Sequence, residues 1–188
     1  MLQDERKARF TLAAGLAFLI YAYPIGASVA QDDVGGAEER FASPNTFGGI
    51  GLLQTRTARF GPDGLFHFGY SRMDPHKHVY LNVHIFPWLE AAWRYTEFTN
   101  QLYSPFPTFS GYQSLKDRGA DLKLRLLKEG LYLPAVAVGL QDGGGTGKFA
   151  GEYVVASKHF GDFDFSLGVG WGHLGSKGTI DNPLIKIS

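Results

Sequence analysis

The sequence predicts an all-β fold: an antiparallel meander of about eight strands forming part of an outer-membrane-type β-barrel, after a cleaved signal peptide. Three observations carry this. From Phe47 onward apolar and polar residues alternate with period two, the spacing of a strand rather than a helix. The alternating runs approach the roughly 9–11 residues a tilted strand needs to cross a bilayer, and exceed the roughly 5–6 of an average soluble strand. The N-terminus has the layout of a secretory leader.

In that leader, Arg6, Lys7 and Arg9 precede an apolar run over 10–23, and Ser28-Val29-Ala30 supplies small residues for cleavage after Ala30. The apolar run falls short of the roughly 20 residues of a membrane-spanning helix. The signal peptide is therefore 1–30. Residues 31–46, acidic and broken by Gly35-Gly36 and Ser43-Pro44, read as a flexible lead-in, and 47–188 as the barrel domain. The chain has 18 basic and 18 acidic residues, which argues against the basic surface a nucleic-acid partner requires. It has no cysteine, so disulfides, thiolate metal sites and a cysteine-linked lipid at the mature N-terminus are excluded. Its 25 glycines and 14% aromatic content suit a β-protein with small interior residues and rings on its surface.

Residues 51–60 and 65–72 read as strands around Pro62-Asp63-Gly64, where Pro presets φ and Gly accepts positive φ. Residues 78–86 place Val79, Leu81, Val83 and Ile85 opposite Tyr80, Asn82 and His84. After Phe86-Pro87, residues 88–98 return, and 99–118 read as a long loop rich in Ser, Pro, Tyr and Phe. Residues 121–128 set Leu122, Leu124 and Leu126 against Asp121, Lys123 and Arg125. Glu129-Gly130 turns the chain into 132–141, a glycine loop spans 142–148, and 152–160 pairs with 163–172 through Gly161-Asp162. In that last strand Phe163, Phe165, Leu167, Val169 and Trp171 share one face, while Asp164, Ser166, Gly168 and Gly170 share the other.

Alternation alone fits a soluble sheet with one wet face as well as a barrel wall. Leader, strand length and the sorting of short and long connections to opposite ends favour the barrel. Glu90, Arg94, Asp121, Lys123, Arg125 and Asp164 lie opposite the Leu and Phe rows. They are the candidate lumen-facing polar residues, since Arg or Lys on the lipid face costs about 2–4 kcal/mol at mid-bilayer. Small inward residues such as Ala135, Ala137, Gly139, Ser166 and Gly168 suit a barrel wider than eight strands. The chain is thus expected to form an open, curved sheet completed by further strands.

Other motifs carry less. Gly143-Gly144-Gly145-Thr146-Gly147-Lys148 has Asp142 and Phe149 where a phosphate loop needs Gly and Ser or Thr, and reads as a hairpin loop. His76-Lys77-His78 has no carboxylate or cysteine at metal-ligand spacing. Asp162 and Asp164 read as solvated groups rather than an acid–base pair. No metal or cofactor is expected.

Residues 51–60 with Asp63-Gly64, Pro87-Trp88-Leu89-Glu90 with Arg94-Tyr95, and 116–123 resemble the YjbH family of exopolysaccharide-associated outer-membrane proteins. So do 133–139, Gly145-Thr146-Gly147, Glu152-Tyr153, Ala156-Ser157-Lys158 and 168–175. The resemblance runs from Gly48 to Pro183. It implies the N-terminal portion of a longer, non-enzymatic barrel in a Gram-negative outer membrane, assisting biosynthesis or export of a secreted polysaccharide. Expected partners are outer-membrane lipid, exopolysaccharide and other export-system proteins. The alternatives are a periplasmic or surface β-domain that binds glycan or a partner protein, and a secreted polysaccharide-modifying enzyme.

Overall fold

The computed structural model describes residues 43–175. The leader with its cleavage point at Ala30, residues 31–42 of the lead-in and residues 176–188 of the barrel domain lie outside the described residues.

Two short strands come first, β1 (Gly51–Leu52) and β2 (Thr55–Arg56), paired as a small hairpin. The longer strands follow as β3 (Phe66–Met73), β4 (His76–Phe86), β5 (Leu89–Leu102), β6 (Ser114–Leu127), β7 (Ala135–Gln141), β8 (Gly151–Phe160) and β9 (Phe163–Gly170). They pair antiparallel in chain order into one seven-stranded sheet, curled as a half-barrel. One helical turn, α1 (Pro107–Ser110), lies between β5 and β6, and a 3-10 turn (Gly172–Leu174) follows β9.

The sheet covers charged and polar side chains together with apolar ones on its concave face and leaves large apolar side chains open on its convex face. Its concave face buries His78, Asn82, Glu90, Arg94, Asp117 and Lys123. Its convex face exposes Phe68, Trp93, Leu122, Leu167 and Val169, with Phe68 at 73% and Leu167 at 83%. In water such a face forgoes roughly 25 cal/mol for each Å² left uncovered.

Strand register orders the convex face into bands. One cross-strand row is Phe66–Val83–Ala91–Leu122–Leu140 and the next is Phe68–Leu81–Trp93–Ala120. Above them run Tyr70–Val79–Tyr95–Arg118 and then Arg72–Lys77–Glu97–Lys116. Rings also gather at the opposite end, where Phe86 stacks on Trp88 at 5.3 Å and Phe163 lies 6.1 Å from Phe165.

Four expectations are corrected. Residues 51–60 are not a wall strand, so the wall has seven strands among the described residues. They lie against the concave face as an inner segment, turning through Leu53 at φ 49. The described end of the lead-in, 43–46, packs with them: Asn45 is buried and Pro44 bridges Ile50. Much of the expected 99–118 loop is sheet, with Leu102 opposite Ser114 and Thr96 opposite Asp117. There both faces are polar, so no apolar period marks the strands. Strand β7 starts at Ala135 rather than Tyr132, after Pro134, which has no N–H to give to a ladder.

Connections 74–75, 103–113 and 142–150 fall at one end and 87–88, 128–134 and 161–162 at the other. The two longest share an end. The sorting is only partial, because 74–75 is short and 128–134 is not.

The small residues of β7 do not leave empty space. Ala135 and Ala137 pack with Ala58, Phe60, Tyr153 and Val155. The Tyr153 ring lies where a Cβ on Gly139 would stand, 2.1 Å from its Cζ. A second apolar cluster joins Phe47, Phe98 and Phe149.

Candidate functional site

The inner segment, residues 43–62, has little secondary structure of its own. Its buried backbone groups therefore need partners elsewhere. The concave face supplies them from one side of the sheet to the other. Ser71 Oγ on β3 donates to the Thr46 carbonyl at 2.6 Å. Glu90 Oε1 on β5 accepts the Ile50 N–H at 2.7 Å and the Asn82 amide at 2.9 Å. Lys123 Nζ on β6 donates to the carbonyls of Ile50 and Arg59 at 3.1 and 2.8 Å. Ser157 Oγ on β8 accepts the Ala58 N–H at 2.9 Å.

The six sequence-predicted polar residues are all on the strands behind this segment. Glu90 and Lys123 face each other in register, with Nζ 2.5 Å from Oε2. Arg94 Nη1 bonds Asp121 Oδ2 at 2.9 Å, and Asp121 Oδ1 accepts the Asp142 N–H at 2.9 Å. The Arg125 guanidinium lies 4.4 Å from the Phe60 ring centroid. Asp164 stands apart from these pairs and binds the Arg59 side chain at 2.9 and 2.5 Å.

Arg59, buried to 3% exposure, is a residue that sequence reading missed. It joins Asp164 on β9 to Glu129 in the 128–134 connection. Burial alone would push the Glu129 carboxyl up. The His159 N–H, the Arg59 guanidinium and the Lys158 ammonium outweigh it and hold it below the ordinary glutamate value. Arg56 was also missed: it binds Gln141 and lies over the Phe47 ring at 4.7 Å. Both arginines sit in a run whose alternation imitates a wall strand.

At the opposite end the glycine loop closes over Asp142, a buried residue at φ 54. Its Oδ2 accepts the Phe149 N–H at 3.0 Å. Burial pushes its carboxyl up, partly offset by that hydrogen bond. A Cβ on Gly145 would meet the Arg118 carbonyl at 2.1 Å and Asp142 Oδ1 at 2.2 Å, so only glycine fits there. His78 Nδ1 lies 2.9 Å from Thr96 Oγ1, and its ring stacks with His76 at 6.0 Å. Among the described residues no group of three or more His, Cys, Asp and Glu is placed to hold a metal. The arrangement is a set of buried ion pairs clamping a segment of backbone.

A family model named YjbH, described as "Exopolysaccharide biosynthesis protein YbjH", matches residues 43–188. The chain belongs to the YjbH family. The match takes in the inner segment together with the seven wall strands among the described residues. A curated YjbH relative, "Uncharacterized lipoprotein YjbH" of Escherichia coli (strain K12), is 50% identical over 146 residues, covering 78% of this chain and 21% of that protein. The chain thus spans about a fifth of the relative's length. No solved structure matches. No helix among the described residues is long and apolar enough to cross a membrane, which says nothing of spanning by strands.

Proposed function

We propose that this YjbH-family chain is a non-enzymatic outer-membrane β-barrel protein, or a portion of one, that assists biosynthesis or export of a secreted exopolysaccharide. The observation that carries the reading is the contrast between the sheet's faces, with ion pairs buried on the concave face and Phe, Trp and Leu exposed on the convex face. Lipid resolves that contrast, because apolar side chains belong against hydrocarbon and charges belong inside the wall. Ring-rich bands at both ends of the convex face fit two membrane interfaces. The edges of β3 and β9 fit a wall that continues, since unpaired backbone in hydrocarbon costs several kcal/mol per group. The polysaccharide enters from the family description. Glu90, Lys123, Arg94, Asp121 and Asp164 are each engaged in ion pairs, which favours a structural interior over a catalytic one.

The test is single-cysteine labelling in envelopes of a Gram-negative host. Cysteine at Leu167, on the convex face, should react with a lipid-soluble maleimide and resist a charged one. Cysteine at Gly111, in the 103–113 connection, should react with both. If the charged reagent reached position 167 as readily as 111, the membrane reading would give way to a water-exposed β-domain.

A further inference from the structure

The convex face carries an open cleft of about 280 Å³, lined by Tyr70, Lys77, Val79, Tyr95, Glu97 and Lys116. Register gives it two tiers. Tyr70, Val79 and Tyr95 form one cross-strand row, and Lys77, Glu97 and Lys116 form the next. Lys77 Nζ lies 3.1 Å from Glu97 Oε2, and Ser114 Oγ donates to Glu97 Oε1 at 2.5 Å. Both oxygens of the carboxylate are thereby engaged. The upper tier sets two ammonium groups against one carboxylate, and Arg118 adds a cation beside Tyr95. Below lies the apolar row of Phe68, Leu81 and Trp93.

We propose that this cleft binds the phosphate of a membrane lipid headgroup. The inference rests on the membrane reading above. Along the sheet the face passes from apolar to aromatic to cationic, the same sequence a phospholipid presents from acyl chain to phosphate. Lys77 and Lys116 meet the phosphate, the two tyrosine rings meet the interfacial part, and Phe68, Leu81 and Trp93 meet the acyl carbons. A free phosphate would use only the upper tier. A zwitterionic headgroup would leave the excess cation unanswered.

Trp93 reports on the site, because its ring lies 6.3 Å from that of Tyr95. With Trp88→Phe and Trp171→Phe it is the sole tryptophan of the three. The full chain is reconstituted with phosphatidylcholine vesicles, floated, and given brominated phosphatidylglycerol or brominated phosphatidylcholine. Phosphatidylglycerol should quench Trp93 more strongly. Lys77→Gln and Lys116→Gln should each lower that preference by up to roughly fivefold, and Glu97→Gln should raise it. Equal quenching by the two lipids, or a preference indifferent to all three substitutions, overturns the proposal. Loss of the preference to inorganic phosphate at a concentration where sodium chloride of equal ionic strength leaves it intact marks a simple anion site and overturns the lipid assignment. A chain that fails to float sinks the membrane reading and this inference together. A chain that floats but is quenched equally sinks this inference alone.

Discussion

Lys123 Nζ lies 2.5 Å from Glu90 Oε2, with side chains 4% and 3% exposed, on paired positions of β5 and β6. Both also hold the inner segment, through the Ile50 N–H, the Ile50 carbonyl and the Arg59 carbonyl. The pair is a clamp as much as a salt bridge. Removing one partner strands a buried charge, so Glu90→Gln or Lys123→Met should each cost about 3–5 kcal/mol. The double substitution should cost clearly less than the sum. Urea unfolding of the chain in detergent measures this. Strictly additive losses would show that the two charges do not depend on each other.

Glu129 predicts a pH dependence. Its folded-state carboxyl titrates below the ordinary value of 4.5, so between the two values the unfolded chain binds more protons than the folded one. The stability it contributes is complete above the ordinary value and is lost as pH falls through the folded one. Thermal melts of the parent chain should therefore fall more steeply below that value than those of Glu129→Gln. Parallel curves would mean that Arg59, Lys158 and the His159 N–H do not favour the ionised form.

Leu122 separates lipid from water outside the convex face. It is 47% exposed, and an exposed leucine of a soluble protein changes to arginine within about 0.5 kcal/mol. Against hydrocarbon Leu122→Arg should cost about 2–4 kcal/mol and sharply lower the yield of membrane-assembled chain. Normal assembly, scored by resistance to urea extraction of membranes, would contradict a lipid-facing position.

The glycine loop offers a steric contrast between neighbours. Alanine at Gly145 would press on the Arg118 carbonyl at 2.1 Å, whereas at Gly144 it would meet Ala120 Cβ at an ordinary 3.6 Å. Gly145→Ala should cost on the order of 1–3 kcal/mol, the range of an overpacked site, and Gly144→Ala well under 1 kcal/mol. Comparing their melting temperatures decides it, and equal temperatures would mean that the loop can move off Asp142.

The strands from Leu65 onward were legible because alternation and turn chemistry are local. Polar ends of β5 and β6, such as Thr99-Asn100-Gln101 and Lys116-Asp117-Arg118, were not. Both faces are polar there, and pairing rather than pattern makes them strands. The run 51–60 was misread for the opposite reason. It has the alternation of a wall strand, yet it folds back on itself as the β1–β2 hairpin, and its Ala58 N–H and Arg59 carbonyl are held by the side chains of Ser157 and Lys123 instead of by a wall strand.

The sequence by itself determined which residues share a face, because Cβ directions alternate along any extended backbone whatever surrounds it. It placed Glu90, Arg94, Asp121, Lys123, Arg125 and Asp164 opposite the apolar rows without reference to a partner. Only the tertiary structure decided what those charges meet. Ile50 reaches Glu90 across 40 positions and Arg59 reaches Asp164 across 105. Such pairings depend on how the sheet curls and which segment fills it, and no local period encodes either.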